Sequence, residues 1–200
     1  MFDVNGAQGL LIDDMDQLVF EIDTLWQRFT ETRFFGNNRN FPNAHFGYMM
    51  AMFARVDLWS RYWRGRMTKK DEQTVRMVRF LDTYVQPEKH NASCVAVQLW
   101  RHALMHTGQG RLHQDRDSGD IYTWQLFFGP SSGIRHYELW RHPHDQRMVL
   151  SIVMTDFAQD LRNGLARYLD DLKKDGALQA TFQKEDAHIQ LQTINFETCM

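Results

Sequence analysis

The stretch "RMVLSIVMTDFAQDLRNGLARYLDDLKK", residues 147–174, changes its hydrophobic period partway along. Its beginning, "RMVLSIVM", is almost continuously apolar, which predicts a β-strand over 147–154. Beyond it, apolar side chains recur every three or four residues, which predicts an amphipathic helix over about 156–174. The helical positions are Phe157, Leu161, Leu165, Tyr168, Leu169 and Leu172. A strand that leads into a helix indicates a fold that combines the two kinds of element.

Two further strands are predicted just before this stretch. "DIYTWQLFFG" (120–129) and "IRHYELWRH" (134–142) are rich in aromatic and β-branched residues, and "PSSG" and "HPHDQ" supply the turns. These connections predict a three-stranded antiparallel β-meander over residues 119–155. Because so small a sheet needs a helix over one face, we expect the helix at 156–174 to cover it. Gly176 ends that helix, and a shorter one completes the C-terminal helices, 156–189.

The first half of the chain carries helical periodicity throughout. Helices are predicted over residues 9–34, 44–64, 68–85 and 88–107. The short loops between them predict an antiparallel helical bundle over 9–108. The predicted fold class is therefore α+β but mainly α. An N-terminal helical bundle is followed by the β-meander and the C-terminal helices, within a single domain spanning 1–200.

The formal net charge of −2 gives no overall attraction to nucleic acid or to an anionic membrane. The charge is unevenly placed, however. Residues 1–24 hold six acidic and no basic side chains, whereas residues 55–79 hold eight basic and three acidic ones. Such segments form either two solvated helix faces that attract one another or a basic surface for phosphate groups.

Several classes of function lack their motifs in this sequence. The two cysteines, Cys94 and Cys199, make neither a disulfide framework nor a zinc quartet, which fits a reducing cytoplasm. The sequence offers no signal-peptide pattern and no apolar run long enough for a membrane span, so we expect a cytoplasmic protein without membrane attachment. No glycine-rich phosphate loop, "GxSxG" elbow or nucleophilic cysteine context is visible, and no cofactor is expected.

The segment "LWRHALMHTGQG", residues 99–110, places Arg101, His102 and His106 at the end of a predicted helix. His102 and His106 are four residues apart and therefore share a helix face. The helix dipole in the last turn favours the protonated form of His106, whose ordinary pKa is about 6.5, so a small shift makes it half charged at neutral pH. A histidine that exchanges protons beside a permanent guanidinium cation can serve as general acid or base while the arginine holds a phosphate. Attack by a ribose 2′-hydroxyl on its phosphodiester needs these two functions and no metal.

The string Arg101-His102-Ala103-Leu104-Met105-His106 resembles the R-x-x-x-x-H motif of HEPN-domain proteins, and it is similar to segments of uncharacterised bacterial proteins. The resemblance covers the bundle and implies a metal-independent endoribonuclease or an inactive RNA-binding relative. It assigns Arg101 as the phosphate-holding residue, His106 as the general acid or base, and His102 as the polar orienting partner. It also implies a homodimer in which two motifs face one cleft. The predicted sheet and C-terminal helices lie outside a minimal domain of that family.

A second candidate for RNA contact is the segment "WSRYWRGR", residues 59–66. Interleaved aromatic rings and guanidinium groups can stack on and hold single-stranded RNA, which makes Arg61, Arg64 and Arg66 candidate RNA-binding residues. The same spacing also suits aromatic rings in the core with arginines at the surface, and this interpretation is favoured.

Two other interpretations of the histidine motif stay open. His102 and His106 have the spacing of two imidazole ligands of one metal ion, but Ala103 replaces the catalytic glutamate of an "HExxH" helix. Candidate third ligands are His113, Asp115, Asp117, His136, His142 and His144, although "HQDRD" (113–117) is more simply a solvated loop. Alternatively the motif is structural, and the protein is a dimeric scaffold or binds an antitoxin-like partner. Exposure of Arg101 and His106 in a common cleft would favour the ribonuclease.

Overall fold

The computed structural model describes residues 4–31, 42–66, 70–101, 112–130 and 133–190. None of the helices in these ranges combines the length and the apolar character needed to cross a bilayer.

The helices confirm the mainly helical character that the periodicity predicts. They are α1 (Val4–Glu31), α2 (Pro42–Arg64), α3 (Lys70–Phe80), α4 (His90–Leu99), α5 (Met154–Lys174) and α6 (Gly176–Gln190). A π-helical segment, Leu81–Val85, continues α3. α2 ends at residue 64 as predicted, and Gly65 follows it with a φ of 80°, the left-handed conformation that glycine adopts readily. The last part of the helix predicted over 88–107 lies outside the described residues.

The sheet differs from the predicted meander. Its strands are β1 (His113–Gln114), β2 (Ile121–Phe127), β3 (Glu138–Arg141) and β4 (Met148–Val153), in the spatial order β1-β2-β4-β3. β4 pairs with β2 in parallel and with β3 in antiparallel fashion. The prediction of a three-stranded antiparallel meander is therefore wrong.

The burial of β4 gives the physical reason for this order. Val149 to Val153 are all buried, whereas every residue of the short strand β3 is half-buried or exposed. The most apolar strand therefore takes an inner position, as is typical of strands in parallel pairs. The chain passes through residues 128–137 between β2 and β3, which leaves room for β4 between them. The predicted turn between β3 and β4 is confirmed by the 2.8 Å bond from the His142 amide to the Arg147 carbonyl.

The segment predicted as a solvated loop, "HQDRD", begins with β1, a strand beyond the three that were predicted. His113 and Gln114 pair with Tyr122 and Ile121 of β2. The remainder is an exposed turn in which Asp115 Oδ1 accepts the backbone N–H groups of Asp117 and Ser118 at 2.9 and 2.7 Å. These bonds lower the pKa of the Asp115 carboxyl group.

Helix α4, rather than α5, covers the sheet. α4 contacts β2, β3 and β4, whereas α5 packs mainly on α1 and on the π-helical segment. The helical bundle and the sheet, the two layers of the fold, share one buried apolar cluster. In it, Phe157 of α5 contacts Phe53 of α2 and Tyr137 beside β3. α4 consequently has one side on the bundle and the other on the sheet.

Candidate functional site

Arg101 directly follows the last turn of α4. Its side chain is half-buried, and its Nη1 donates a hydrogen bond to Thr74 Oγ1 on α3. This bond ties the end of α4 to the beginning of α3. The other two predicted catalytic residues, His102 and His106, lie outside the described residues.

Arg61 is engaged by a buried carboxylate. Its Nε donates to Glu185 Oε2 of α6 at 2.7 Å, and Glu185 is only 5% exposed. The other oxygen of Glu185 accepts the backbone N–H of Arg66 at 3.0 Å. The adjacent Tyr62 donates to Asp186 at 3.3 Å, and burial together with this carboxylate raises the Tyr62 pKa to about 12. Of the three arginines in "WSRYWRGR", Arg61 therefore joins two helices through its guanidinium group.

Arg64 and Arg66 are exposed at the end of α2. The Arg64 guanidinium carbon lies 4.2 Å from the centre of the Trp63 ring, which is the geometry of a cation–π contact. The rings of this segment are in the core, since Trp59 is fully buried and Tyr62 and Trp63 are nearly so. Buried rings beside exposed arginines match the interpretation favoured from the spacing.

A buried arginine that sequence reasoning missed, Arg76, fixes α2 and α3 to one another. Arg76 of α3 is 4% exposed and donates to Ser60 Oγ at 3.2 Å, to the Gly65 carbonyl at 2.9 Å and to Asp57 Oδ1 at 2.8 Å. Burial lowers its pKa, and the Asp57 carboxylate opposes that shift. The Arg76–Gly65 bond holds the end of α2 to α3, and the Arg101–Thr74 bond holds the end of α4 to α3. We name the exposed Arg64 and Arg66 together with Arg101 the basic end, because they lie at or just after the C-terminal ends of α2 and α4.

A second candidate region is a cleft of about 1000 Å³ between α4 and the sheet. Its lining includes Asn91, Cys94, Gln98, His113, Tyr122 and Met148. The thiol of Cys94 is free and half-buried, and its Sγ lies 3.5 Å from His90 Nε2. Sequence reasoning found no nucleophilic context for this cysteine, although the His90-x-x-x-Cys94 spacing was available as a signal.

The candidate third metal ligands are described by the structure, but the pair that they would join is not. His136 uses both ring nitrogens, since Nδ1 accepts the Val153 N–H at 3.0 Å and Nε2 lies 3.1 Å from Asp160 Oδ2. Within the described ranges, no three histidine, cysteine or acidic side chains form a group that could hold a metal ion. The pair His102 and His106 lies beyond those ranges.

The chain was compared with protein-family models, with curated proteins and with solved structures. No family model matches it, and no curated protein and no solved structure does so either. Its function is therefore argued from its own residues.

Proposed function

We propose that this protein binds RNA at the basic end of its bundle and cleaves it without a metal, through Arg101 and His106. The observation that carries the proposal is that α3 is hydrogen-bonded both to the end of α2, where Arg64 and Arg66 are exposed, and to Arg101 after the end of α4. Arg64 and Arg66 are 35 or more positions from Arg101 in sequence, yet the segments that carry them are bonded to the same helix, α3.

In the proposed reaction, His106 takes the proton of a ribose 2′-hydroxyl. The 2′-oxygen forms a bond to phosphorus, and the bond from phosphorus to the 5′-oxygen breaks. The 5′-oxygen receives the proton that His106 had taken, which leaves a 2′,3′-cyclic phosphate, a 5′-hydroxyl and a neutral His106. Arg101 stabilises the charge on the phosphate oxygens, and its bond to Thr74 limits the positions that its guanidinium can take. His102 orients this pair. Arg61 acts indirectly, because Glu185 holds both its side chain and the Arg66 backbone.

Cleavage of a mixed RNA pool by purified protein in excess EDTA tests the catalytic part. We expect His106→Ala and Arg101→Ala to lower the cleavage rate by about 10²-fold or more. Arg79→Ala is the matched control, because Arg79 is an exposed arginine near the opposite end of α3. Equal cleavage by all four proteins would identify a contaminating nuclease, and cleavage that EDTA abolishes would contradict the metal-free mechanism.

Binding of fluorescent single-stranded RNA at several salt concentrations tests the binding part. For single-stranded RNA, log affinity decreases with log salt, and the steepness of that decrease is reduced by about 0.7 for each phosphate that the protein no longer neutralises. We expect Arg64→Ala and Arg66→Ala each to lower the slope and Arg79→Ala to leave it unchanged. A slope that none of these variants changes would place the RNA elsewhere.

A second candidate is a non-catalytic homodimer or a scaffold for an antitoxin-like partner. It is favoured by two apolar side chains of α1, Leu10 and Phe20, that are 72% and 65% exposed. We expect sedimentation analysis to give a dimer and Phe20→Glu to weaken it. A wild-type monomer at micromolar concentration would remove the homodimer and leave only the scaffold for a partner.

A further inference from the structure

Asp82, His90 and Cys94 form a series of polar contacts that ends at Cys94, which lines the cleft. His90 Nδ1 contacts Asp82 Oδ2, and His90 Nε2 lies 3.5 Å from Cys94 Sγ. Asp82 belongs to the π-helical segment, and His90 and Cys94 lie one turn apart on α4. A nucleophile that contacts a base, which in turn contacts a carboxylate, is the arrangement that activates thiols and hydroxyls in covalent catalysis.

The Asp82 carboxylate determines which nitrogen of His90 carries the proton. A carboxylate only accepts hydrogen bonds, so Nδ1 donates to it and Nε2 presents its lone pair to the thiol. Once His90 has taken a second proton, the negative charge of Asp82 stabilises the imidazolium. Burial raises the pKa of the Cys94 thiol, and the Asp82 charge adds to this shift. The thiol is therefore protonated at rest and needs a base to become a thiolate.

The cleft beside Cys94 has both polar and apolar walls. Asn91 and Gln98, one turn before and one turn after Cys94, line the cleft and carry amide N–H groups that can stabilise an oxyanion. Its apolar lining residues are Val95, Leu99, Leu139 and Met148. The His90 side chain is 66% exposed, which gives water access to the base.

We propose that Asp82, His90 and Cys94 form a thiol acyl-transfer site, in which Cys94 accepts the acyl group of a carboxylic ester or thioester bound in the cleft. His90 Nε2 takes the thiol proton, and sulfur attacks the carbonyl carbon. A C–S bond forms, the bond from that carbon to the leaving oxygen or sulfur breaks, and the leaving group receives the proton from His90. Water then attacks the thioester, and its proton passes through His90 to the departing Cys94 sulfur. The carboxylic acid and the free thiol are the final products.

This site is independent of the RNA proposal. An α-helix rises about 1.5 Å per residue, so His90 and Arg101 lie about 16 Å apart along the axis of α4. The acyl group meets the apolar lining residues of the cleft, whereas RNA meets the basic end. A failure of either proposal therefore leaves the other standing.

The test is acylation by p-nitrophenyl butyrate, followed by mass spectrometry of the two cysteine-containing peptides. Cys199, the only other cysteine of the chain, is an internal reference in every sample. We expect butyryl transfer to Cys94 together with release of p-nitrophenol, and Cys94→Ala to lower that release to the amount that acylation of Cys199 accounts for. His90→Gln is expected to lower the acylation rate of Cys94 by about 10²-fold or more without changing that of Cys199. Asp82→Asn is expected to give an intermediate rate, because it keeps an acceptor oxygen but removes the charge.

Thermal unfolding of each variant shows whether a reduced rate reflects a disrupted fold. Asn91→Ala is a second variant that keeps Asp82, His90 and Cys94, and it is expected to slow acylation several-fold. Acylation of Cys94 at the same rate in wild type and His90→Gln would overturn the proposal. Acylation of Cys199 alone in a folded wild-type protein would overturn it as well.

Discussion

At the scale of single residues, Arg76 joins α2 to α3 and should dominate the stability of the basic end. Its three hydrogen bonds end on a hydroxyl, a backbone carbonyl and a carboxylate. Arg76→Ala leaves these acceptors without their donor, and Asp57 is only partly exposed. We expect a loss of about 2–4 kcal/mol in the free energy of unfolding, measured with urea. The control is Arg79→Ala, one turn later and exposed, which should change it by about 0.5 kcal/mol or less. Equal losses in the two variants would contradict the role of Arg76.

The pair of the exposed Asp145 and the half-buried Arg147 predicts a dependence on pH. The Arg147 side chain bonds to Asp145 and lowers the Asp145 pKa from 3.8 to about 2. Because the folded pKa lies below the unfolded one, the stabilisation is complete above the unfolded pKa and is lost as the pH falls through the folded pKa. Asp145→Asn should therefore be less stable than wild type at pH 7. The difference should shrink between pH 3.8 and pH 2. A difference in urea midpoint that is constant over this range would contradict the assignment.

At the scale of elements, helix α5 approaches the π-helical segment too closely for a side chain at Gly164. A Cβ there would lie 2.7 Å from Val85 Cγ2 and 3.0 Å from the Tyr84 carbonyl oxygen. Arg167 Nε already donates to that oxygen at 2.8 Å, which holds the two elements in place. We expect Gly164→Ala to cost about 1–3 kcal/mol despite the higher helix propensity of alanine. Gly9→Ala in α1 meets nothing within 4 Å and should be neutral or stabilising. The two midpoints in urea decide the matter, and a stabilising Gly164→Ala would show that the elements separate readily.

The elements also show what the sequence could predict. Apolar periodicity located the helices, because each helix records its own buried face in local spacing. The order of strands was not predictable in this way, because the pairing of β4 with β2 joins segments separated by β3. The same division holds for the candidate sites. His90 and Cys94 lie four residues apart on one helix, so their contact could be predicted from the sequence. Asp82 lies in the π-helical segment, and its contact with His90 depends on how that segment is placed beside α4. The bonds from α3 to the ends of α2 and α4 likewise depend on how these three helices pack.

At the scale of the whole molecule, the bundle and the sheet should unfold together. Phe157 is fully buried, and its ring centre lies 5.5 Å from that of Phe53 in α2 and 5.4 Å from that of Tyr137 beside β3. Phe157→Ala therefore weakens the packing of both layers and should cost about 3–5 kcal/mol. Phe20→Ala, at an exposed ring, is the control and should cost far less.

Two probes can show whether this destabilisation is shared by the layers. Tryptophan fluorescence reports on all six tryptophans, which include Trp59 in α2 and Trp124 in β2, and far-ultraviolet circular dichroism reports mainly on the helices. Because one apolar cluster joins the layers, we expect both signals to give a single coincident transition in wild type and in Phe157→Ala. The transition of the variant should simply lie at a lower urea concentration. Two separated transitions, with only one of them moved by the substitution, would mean that the sheet and the bundle are stabilised independently. The cleft between them would then depend on docking of the two layers, and acylation of Cys94 should fail at the first transition.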